Sequence, residues 1–315
     1  MQKLKEQTLK EIERRFRTNK GYTLSEQNPI YCPQVNGLVN ICLNELGLIS
    51  RAHSNCQDQL NGTFNKEWSL FHSEVDTEGR ITNVNFNSGK NAISSLALAT
   101  CGLKEEANYI LDALKNTGMY DSKTGLFMRE LNPMNGTINP LSVTQTNFWM
   151  VLALAKLERG NEAKHILKSL EGVKYDDKTG LFLGQDCRFL NSKSVYYVDD
   201  QAIAILTYTN LGEQKKARDL LNTILESPLY DRQTGLFNSS FSDSNVDSTK
   251  STYKNSFMAQ ALAKLGYSEE LAKLQKGLIR ELYDFEEKLF NQTTKDKTKV
   301  PDNSALALVA LENLF

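Results

Sequence analysis

The sequence predicts an all-α protein built from six helical hairpins that close into a ring. Three observations predict it: an octet of the form Y-D-x-x-T-G-L-F recurs, mostly buried helices alternate with amphipathic ones, and the last helix is too apolar to end an open array. The octets begin at Tyr120, Tyr175 and Tyr230, which are 55 residues apart. A fixed period of this order is typical of repeated supersecondary units. We therefore expect a single domain over residues 1–315.

The inner helices of the ring are predicted from composition. Six segments are apolar and rich in small residues on nearly all sides, as expected for helices buried on most sides. They begin at Asn36, Asn91, Asn147, Gln201, Asn255 and Asn303.

The outer helices are predicted from periodicity, because their apolar residues fall three and four positions apart. Five such segments begin at Ala52, Ala107, Ala163, Ala217 and Leu271, and the N-terminal segment LKEQTLKEIERRF supplies the sixth. An open solenoid needs terminal repeats with a polar outer face. The last segment, ALALVALENLF, has no such face. We expect residues 1–17 to cover it and close the ring.

The octet itself predicts a tight turn followed by a short extended segment. Its Asp can cap the turn through its side chain, and its Gly can adopt a positive φ without steric cost. Asp121, Asp176 and Asp231 are therefore expected to be architectural, with a ligand role as the alternative. The long loops that contain the octets all lead into the inner helices. Because long loops on a rigid scaffold often carry function, we expect the pocket at the N-terminal ends of those helices.

The composition limits the kinds of ligand and binding partner that are expected. The chain has 37 basic and 38 acidic residues, so its charge gives no reason to expect nucleic acid or an anionic membrane. No signal peptide or long apolar run is present, which predicts a cytoplasmic protein. The five cysteines are scattered and favour buried reduced thiols over disulfides or a zinc site. Nucleotide-binding and metal-binding motifs are absent from the sequence, so no cofactor and no metal are expected.

Polar residues that open the inner helices are the first candidates for a binding site. An amide there can cap the helix, or it can line a pocket that binds the hydroxyl groups of a carbohydrate. Trp149 lies two residues into the third inner helix and could stack on a sugar or pack in the core. The amide candidates are Asn36, Asn91, Asn147, Gln201, Asn255 and Asn303.

The segment YYVDDQ, from Tyr196 to Gln201, offers the densest chemistry. Tyr197 could stack on a sugar ring, and Asp199 or Asp200 could act as general acid or base. Hydrolysis of a glycosidic bond usually requires two carboxyl groups, one of them kept protonated by its surroundings. Adjacent aspartates cannot both face the ring axis, so the second carboxyl is expected elsewhere, with Asp302 as one candidate.

The first long loop, EWSLFHSEVD, supplies further candidates. Glu74 and Asp76 are alternatives to Asp302 as the second carboxyl group. Trp68 could bind a sugar by stacking, and His72 is the histidine best placed for acid–base chemistry.

This arrangement resembles the six-hairpin glycosidase superfamily over the whole chain. The resemblance implies an (α/α)6 toroid with its active site at the loop-rich end and Asp or Glu as acid and base. The segment YYVDDQAIA is similar to the Asp-bearing helix start of the unsaturated glucuronyl hydrolase branch, which implies that Asp199 or Asp200 is the proton donor. That branch also implies a second Asp on a neighbouring inner helix, where this chain has Thr146-Asn147 and Lys254-Asn255.

The N-acylglucosamine epimerase relatives share the barrel and imply histidines at the pocket. The expected function is therefore that of a carbohydrate-active enzyme, a glycoside hydrolase in the first place. A sugar epimerase or isomerase on the same barrel, or a non-catalytic toroid that binds a sugar or a protein, are the alternatives. The expected ligand is a small carbohydrate-like molecule, and the oligomeric state is open.

Overall fold

The computed structural model describes residues 2–184, 194–242 and 245–312. Within these residues the chain forms twelve α-helices, and we call the even-numbered ones inner and the odd-numbered ones outer. The helices are α1 (Gln2–Phe16), α2 (Pro33–Glu45), α3 (Ile49–Thr63), α4 (Ser88–Thr100), α5 (Lys104–Leu114), α6 (Thr144–Lys156), α7 (Gly160–Lys174), α8 (Val198–Asn210), α9 (Gln214–Glu226), α10 (Thr252–Leu265), α11 (Ser268–Leu282) and α12 (Pro301–Glu312).

The chain contains two compact units. The central unit is Arg15–Val173, and the terminal unit joins Met1–Arg14 to Lys174–Phe315. In the central unit α4 packs against both α2 and α6, and in the terminal unit α10 packs against both α8 and α12. Inner helices are therefore neighbours within each unit, and outer helices pack behind them, as α3 does on α2 and α9 on α8.

The burial pattern explains why the two kinds of helix differ. Inner helix α12 is buried from Pro301 to Leu311, which suits its small and apolar residues. Outer helix α9 buries one stripe, Ala217, Leu220, Leu221 and Ile224, and exposes its charged face. The spacing of three and four residues confirms the amphipathic outer helices that the sequence predicts.

Every octet forms a two-stranded antiparallel hairpin after an outer helix. In the copy that begins at Tyr120, Asp121 accepts hydrogen bonds from Lys123 N at 2.9 Å and from Thr124 Oγ1 at 2.9 Å. Gly125 has φ 72° and donates its N–H to Asp121 O at 2.7 Å. The rings of Tyr120 and Phe127 lie 5.1 Å apart and cover the hairpin. The predicted turn is confirmed, and its Asp serves the architecture.

Six hairpins of this kind occur in the described residues, although the sequence displays three octets. Two of the additional copies lack the Gly: Ser69, with φ 53°, and Lys288, with φ 57°, adopt the left-handed conformation in its place. The strand pairs are β1–β2 (Arg17–Thr18, Gly21–Tyr22), β4–β5 (Phe64–Asn65, Leu70–Phe71), β9–β10 (Tyr120–Asp121, Leu126–Phe127), β13–β14 (Tyr175–Asp176, Leu181–Phe182), β16–β17 (Tyr230–Asp231, Leu236–Phe237) and β20–β21 (Tyr283–Asp284, Leu289–Phe290).

Three further sheets have three strands each and join successive loops. Within each sheet the neighbouring strands are antiparallel. The orders are β3-β6-β7 (Ile30–Tyr31, Glu74–Asp76, Ile81–Asn83), β8-β11-β12 (Phe86–Asn87, Glu130–Asn132, Thr137–Asn139) and β15-β18-β19 (Val195–Tyr197, Ser240–Ser242, Asn245–Asp247). Short strands in the loops were predicted and are present.

The N-terminal helix packs on the C-terminal part of the terminal unit. Lys5 Nζ lies 2.7 Å from Glu312 Oε1 of α12, and Thr8 Oγ1 lies 3.5 Å from Tyr283 Oη. These contacts are those expected if the N-terminal segment covers the last inner helix.

Two expectations about the chain as a whole can be compared with the described residues. Among the helices described, none is both long and apolar enough to cross a membrane. Cys32, Cys42, Cys56 and Cys101 are buried and are not disulfide-bonded, as predicted, whereas Cys187 lies outside the described residues.

Candidate functional site

The amides at the inner-helix starts hold the octet hairpins. Asn147 Oδ1 accepts from Phe127 N at 2.7 Å, and its Nδ2 donates to Phe127 O at 3.1 Å and to Val143 O at 3.0 Å. The side chain thus pairs both backbone groups of a strand residue, as a neighbouring strand would. The same bidentate contact joins Asn36 to Tyr22, Asn91 to Phe71, Gln201 to Phe182 and Asn255 to Phe237.

These side chains are at most 2% exposed. Their hydrogen bonds are used inside the hairpins, so the structure places them neither as helix caps nor as groups that line a pocket. In two helices the capping role falls to the residue four positions before the amide: Asn87 accepts from Lys90 N, and Ser251 accepts from Lys254 N. These contacts give the amides an architectural role in the hairpins, in place of the sugar-binding role that the sequence suggested.

In the sixth repeat, the predicted start of the inner helix is one residue out of register with the other five. Each amide occupies the fourth position of its inner helix, and in α12 that position is Ser304, whose Oγ accepts from Phe290 N at 3.0 Å. Asn303 therefore corresponds to Asp200 of α8, and Asp302 corresponds to Asp199. The corrected register therefore changes the counterpart of Asp302 in α8 from Asp200 to Asp199.

A charged cluster lies at the start of α8. Lys254 Nζ is 3.1 Å from Asp199 Oδ1, 3.1 Å from Ser239 O and 4.9 Å from the centroid of the Tyr197 ring. The side chains of Lys254 and Asp199 are 19% and 14% exposed, so water partly reaches the ion pair. The start of α8 and the start of α10 are tied together by this lysine.

Asp200 lies deeper than Asp199 and is 3% exposed. A Cβ at Gly184 would lie 2.3 Å from Tyr197 Cδ2 and 3.0 Å from Asp200 Oδ2. Only glycine fits against these two side chains, so Gly184 makes the room in which they sit. The neighbouring Tyr196 has a different role, because its Oη donates to Asp176 Oδ2 at 2.5 Å and supports an octet.

Asp302 is a buried carboxyl group in the first turn of α12, and it is 6% exposed. Burial raises its pKa to about 6, although the N–H groups of Asn303 and of Asp302 itself oppose the rise. A carboxyl group with such a pKa holds its proton to a much higher pH than an exposed Asp does.

The first turns of three inner helices of the terminal unit therefore carry titratable groups, and we call them the α8–α10–α12 site. Its members are Asp199, Asp200, Lys254 and Asp302, with Tyr197 just before α8. Helix α10, which carries Lys254, packs against both α8 and α12, the two helices that begin with acidic residues. The site combines a buried acid with a second carboxyl group and a cation, a combination suited to general acid–base chemistry.

The candidates of the first long loop lie in the central unit. His72 is buried, its Nε2 is 3.2 Å from Asn65 Nδ2, its Nδ1 is 3.2 Å from Val84 O, and its ring stacks on Phe86. Trp68 contacts the same Phe86 ring at 5.6 Å. These contacts give both residues a packing role.

The other predicted residues of the central unit are also placed by local contacts. Glu74 lies 3.6 Å from Lys90 Nζ, and Asp76 binds Arg80, whose hydrogen bond holds the pKa of Asp76 below its usual value. Trp149 is 4% exposed and belongs to the core around α6. His53 and His165 lie on outer helices, where His53 Nδ1 is 3.1 Å from Cys101 O.

Lys254 is the residue of the α8–α10–α12 site that the sequence analysis did not select. The sequence did contain a signal, because α4 also has a lysine, Lys90, at its third position. In the structure, Lys90 Nζ donates to Ser73 O at 3.1 Å, just as Lys254 Nζ donates to Ser239 O. The sequence does not show that Lys254 lies beside Asp199. In the part of the chain that the structure describes, no cluster of His, Cys, Asp and Glu could hold a metal ion.

Comparison with solved structures shows the fold class. A D-mannose isomerase structure matches with a TM-score of 0.82 and 14% identity, over 99% of this chain and 97% of the other. A sugar epimerase from a ruminal bacterium matches with a TM-score of 0.80 and 10% identity, over 98% and 97%. The GH76 α-mannanase of Bacteroides thetaiotaomicron matches with a TM-score of 0.73 and 10% identity, over 98% and 93%.

The chain shares the (α/α)6 toroid fold of these solved structures. The predicted fold class is thereby confirmed, since the likeness extends over nearly all of this chain and of each solved structure. No protein-family model matches the sequence, and no curated protein matches it by sequence.

Proposed function

We propose that the chain is a carbohydrate-active enzyme whose reaction takes place at the α8–α10–α12 site, with hydrolysis of a glycosidic bond as the first candidate. The observation that carries the proposal is the burial of Asp302, which raises its pKa to about 6, on a helix adjacent to the one that carries Lys254. A general acid must hold a proton at the working pH and release it in the transition state, and a pKa near that pH serves both needs.

In this proposal Asp302 donates a proton to the leaving oxygen of the glycosidic bond. Asp200 supplies the second carboxyl group, which activates water or attacks the sugar carbon, because it is the more deeply buried of the two adjacent aspartates. Tyr197 and the Lys254–Asp199 pair bind the sugar by ring stacking and by hydrogen bonds to hydroxyl groups. The ligand is a small carbohydrate, and a cytoplasmic location remains a prediction from sequence.

A second candidate is epimerisation or isomerisation of a sugar. It is favoured by the solved structures at TM-scores of 0.82 and 0.80, which are described as an isomerase and a sugar epimerase. The residues of this chain would then move a proton to and from carbon through Asp302 and Asp200. None of the three histidines belongs to the first turns of α8, α10 and α12, so this route would differ from the histidine chemistry expected of epimerase relatives.

One experiment separates these candidates. The purified chain is incubated in D2O with a panel of disaccharides and free aldoses, and the products are analysed by mass spectrometry and by reducing-end assay. Hydrolysis creates new reducing ends without deuterium on carbon, whereas epimerisation adds one carbon-bound deuterium without cleavage. Asp302→Asn and Asp200→Asn should each lower turnover by about 100-fold or more if the two groups act as acid and base. Full turnover in either variant would refute the corresponding assignment.

A further inference from the structure

A cavity lies in the central unit, between the outer helices α5 and α7. Its volume is about 210 Å³. Met150 and Leu154 of inner helix α6 and Phe127 of the octet form its apolar walls, together with Leu111 of α5 and Ile166 of α7. All of these residues belong to the central unit, whereas the α8–α10–α12 site belongs to the terminal unit.

The next repeat of the same chain shows what fills this place. Leu154 is the eleventh residue of α6, and the eleventh residue of α8 is Tyr208. The Tyr208 ring lies 6.4 Å from that of Phe182, which is the octet residue equivalent to Phe127. The Tyr208 ring therefore fills the space behind the octet that ends at Phe182. At the equivalent place, behind the octet that ends at Phe127, Leu154 lines the cavity.

The outer helices confirm this correspondence. Glu162 is the third residue of α7 and lines the cavity, and Lys216 is the third residue of α9. Lys216 Nζ lies 5.5 Å from the centroid of the Tyr208 ring. Equivalent positions in the inner helix, the octet and the outer helix thus all show that the cavity corresponds to the place of the Tyr208 ring in the next repeat.

The rim of the cavity is polar, unlike its walls. Tyr120 Oη lies 3.1 Å from His165 Nε2, and Lys115 Nζ lies 3.3 Å from Glu162 Oε2. Each pair offers a donor and an acceptor to the hydroxyl group of a ligand, while the walls accept a ring. Such a division between apolar walls and a few polar groups is typical of small-molecule sites.

The backbone beside the cavity is unusual as well. A five-residue π-helical turn, Lys115–Met119, follows α5, and Gly118 within it has φ 83°. Outer helix α7 runs directly into its octet without such a turn. The turn ends the helix on a glycine in the left-handed conformation, as many helix C-termini do, and it carries Lys115 at the rim of the cavity.

We propose that this cavity binds a small phenol, whose ring takes the place that the Tyr208 ring has in the next repeat. An apolar cavity of about 150 Å³ holds benzene, so 210 Å³ holds a benzene ring with one or two small substituents. The phenol hydroxyl group pairs with the rim, and the ring packs on Phe127, Met150 and Leu154. p-Cresol, which has the structure of the tyrosine side chain, is the probe.

The test uses the full chain labelled with ¹³C at the methionine methyl groups, with Met150 as the reporter. Met258 is the internal control, because it holds the same seventh position in α10 of the terminal unit. We expect p-cresol to shift the Met150 signal saturably with a Kd on the order of 1 mM, as suits a ligand of about eight heavy atoms. The Met258 signal should not move.

Leu154→Tyr places the ring in the cavity covalently and should weaken p-cresol binding at least tenfold. Leu154→Phe is the second filling variant, in case the first does not fold. An unmoved Met150 signal at about 10 mM p-cresol, an equal shift of Met150 and Met258, or unchanged binding in a folded filling variant would each overturn the proposal.

Discussion

Asp302→Asn tests the buried acid of the proposed site through stability as well as activity. The substitution keeps the shape of the side chain and the oxygen that accepts from Asn303 N at 3.0 Å, but it removes the ionisable group. If burial raises the pKa of Asp302, the folded chain must carry a buried carboxylate at neutral pH. The variant avoids that cost, and we expect it to be more stable than the wild type and inactive.

The magnitude follows from the pKa, which is about 6 in the folded chain and 3.8 for an ordinary Asp. The difference is roughly 2 pH units, and one unit corresponds to about 1.4 kcal/mol, so ionisation of the buried group costs about 3 kcal/mol. Below pH 3.8 both states are protonated and the cost is absent. As the pH rises from there to about 6, the folded state holds its proton more tightly than the unfolded state, so the stability of the wild type falls. Above that pH the loss is complete and constant.

Urea unfolding of both proteins at a series of pH values measures this difference. The free energy of unfolding of the variant should exceed that of the wild type by about 3 kcal/mol above pH 6, and the gap should close toward pH 4 with no change in m. A gap that is the same at every pH, or a variant that is less stable at pH 8, would refute the assignment of a raised pKa.

Asp231→Asn is the matched control with the opposite sign. Burial raises the pKa of Asp231, but hydrogen bonds from Lys250 Nζ, Thr234 and Gln233 N outweigh it and lower the pKa to about 2. The ionised form therefore stabilises the fold at all pH values above 3.8, and this stability is lost as the pH falls through about 2. Asp231→Asn should be less stable than the wild type at pH 7, with a gap that shrinks in acid.

Three further predictions concern the architecture. Asn147→Ala leaves the N–H and the C=O of Phe127 without their partner, which should cost about 2–6 kcal/mol in chemical denaturation; Asn147→Ser should cost less, and the exposed control Asn210→Ala should cost within about 0.5 kcal/mol. Lys288→Gly relieves a positive φ of 57° and should raise the stability by about 0.5–1 kcal/mol, whereas a lower Tm would contradict the strain at this position. Deletion of residues 1–17 should expose α12 and cause aggregation in light scattering, and a soluble, cooperatively folding truncation would argue against closure by α1.

The sequence determined the architecture because the architecture is periodic. Apolar residues at a spacing of three and four define the outer helices, nearly continuous apolar runs define the inner ones, and the octet marks each return. Such signals are local and repeated, so one weak copy does not obscure them. The octets at Ser69 and Lys288 escaped recognition because a residue other than Gly adopts the left-handed conformation there.

The site could be predicted only in part. Asp199, Asp200 and Asp302 are acidic residues at helix starts, and the sequence makes them visible. The alignment of the sixth repeat was wrong by one residue because Ser304 takes the role of the amide there, while the neighbouring Asn303 supplied an amide one position too early.

Tertiary structure alone decided what each polar group contacts. An Asn at the fourth position of an inner helix has the same sequence signature whether it faces a pocket or an octet, and the rotation of the helix against its hairpin decides between them. The pairing of Lys254 with Asp199 depends on the packing of α10 beside α8. The raised pKa of Asp302 depends on burial by residues distant in sequence. Hydrogen-bond partners, ion pairs and burial depend on which residues surround a side chain in the fold. Many of those residues are distant in sequence, so a local sequence pattern does not specify them.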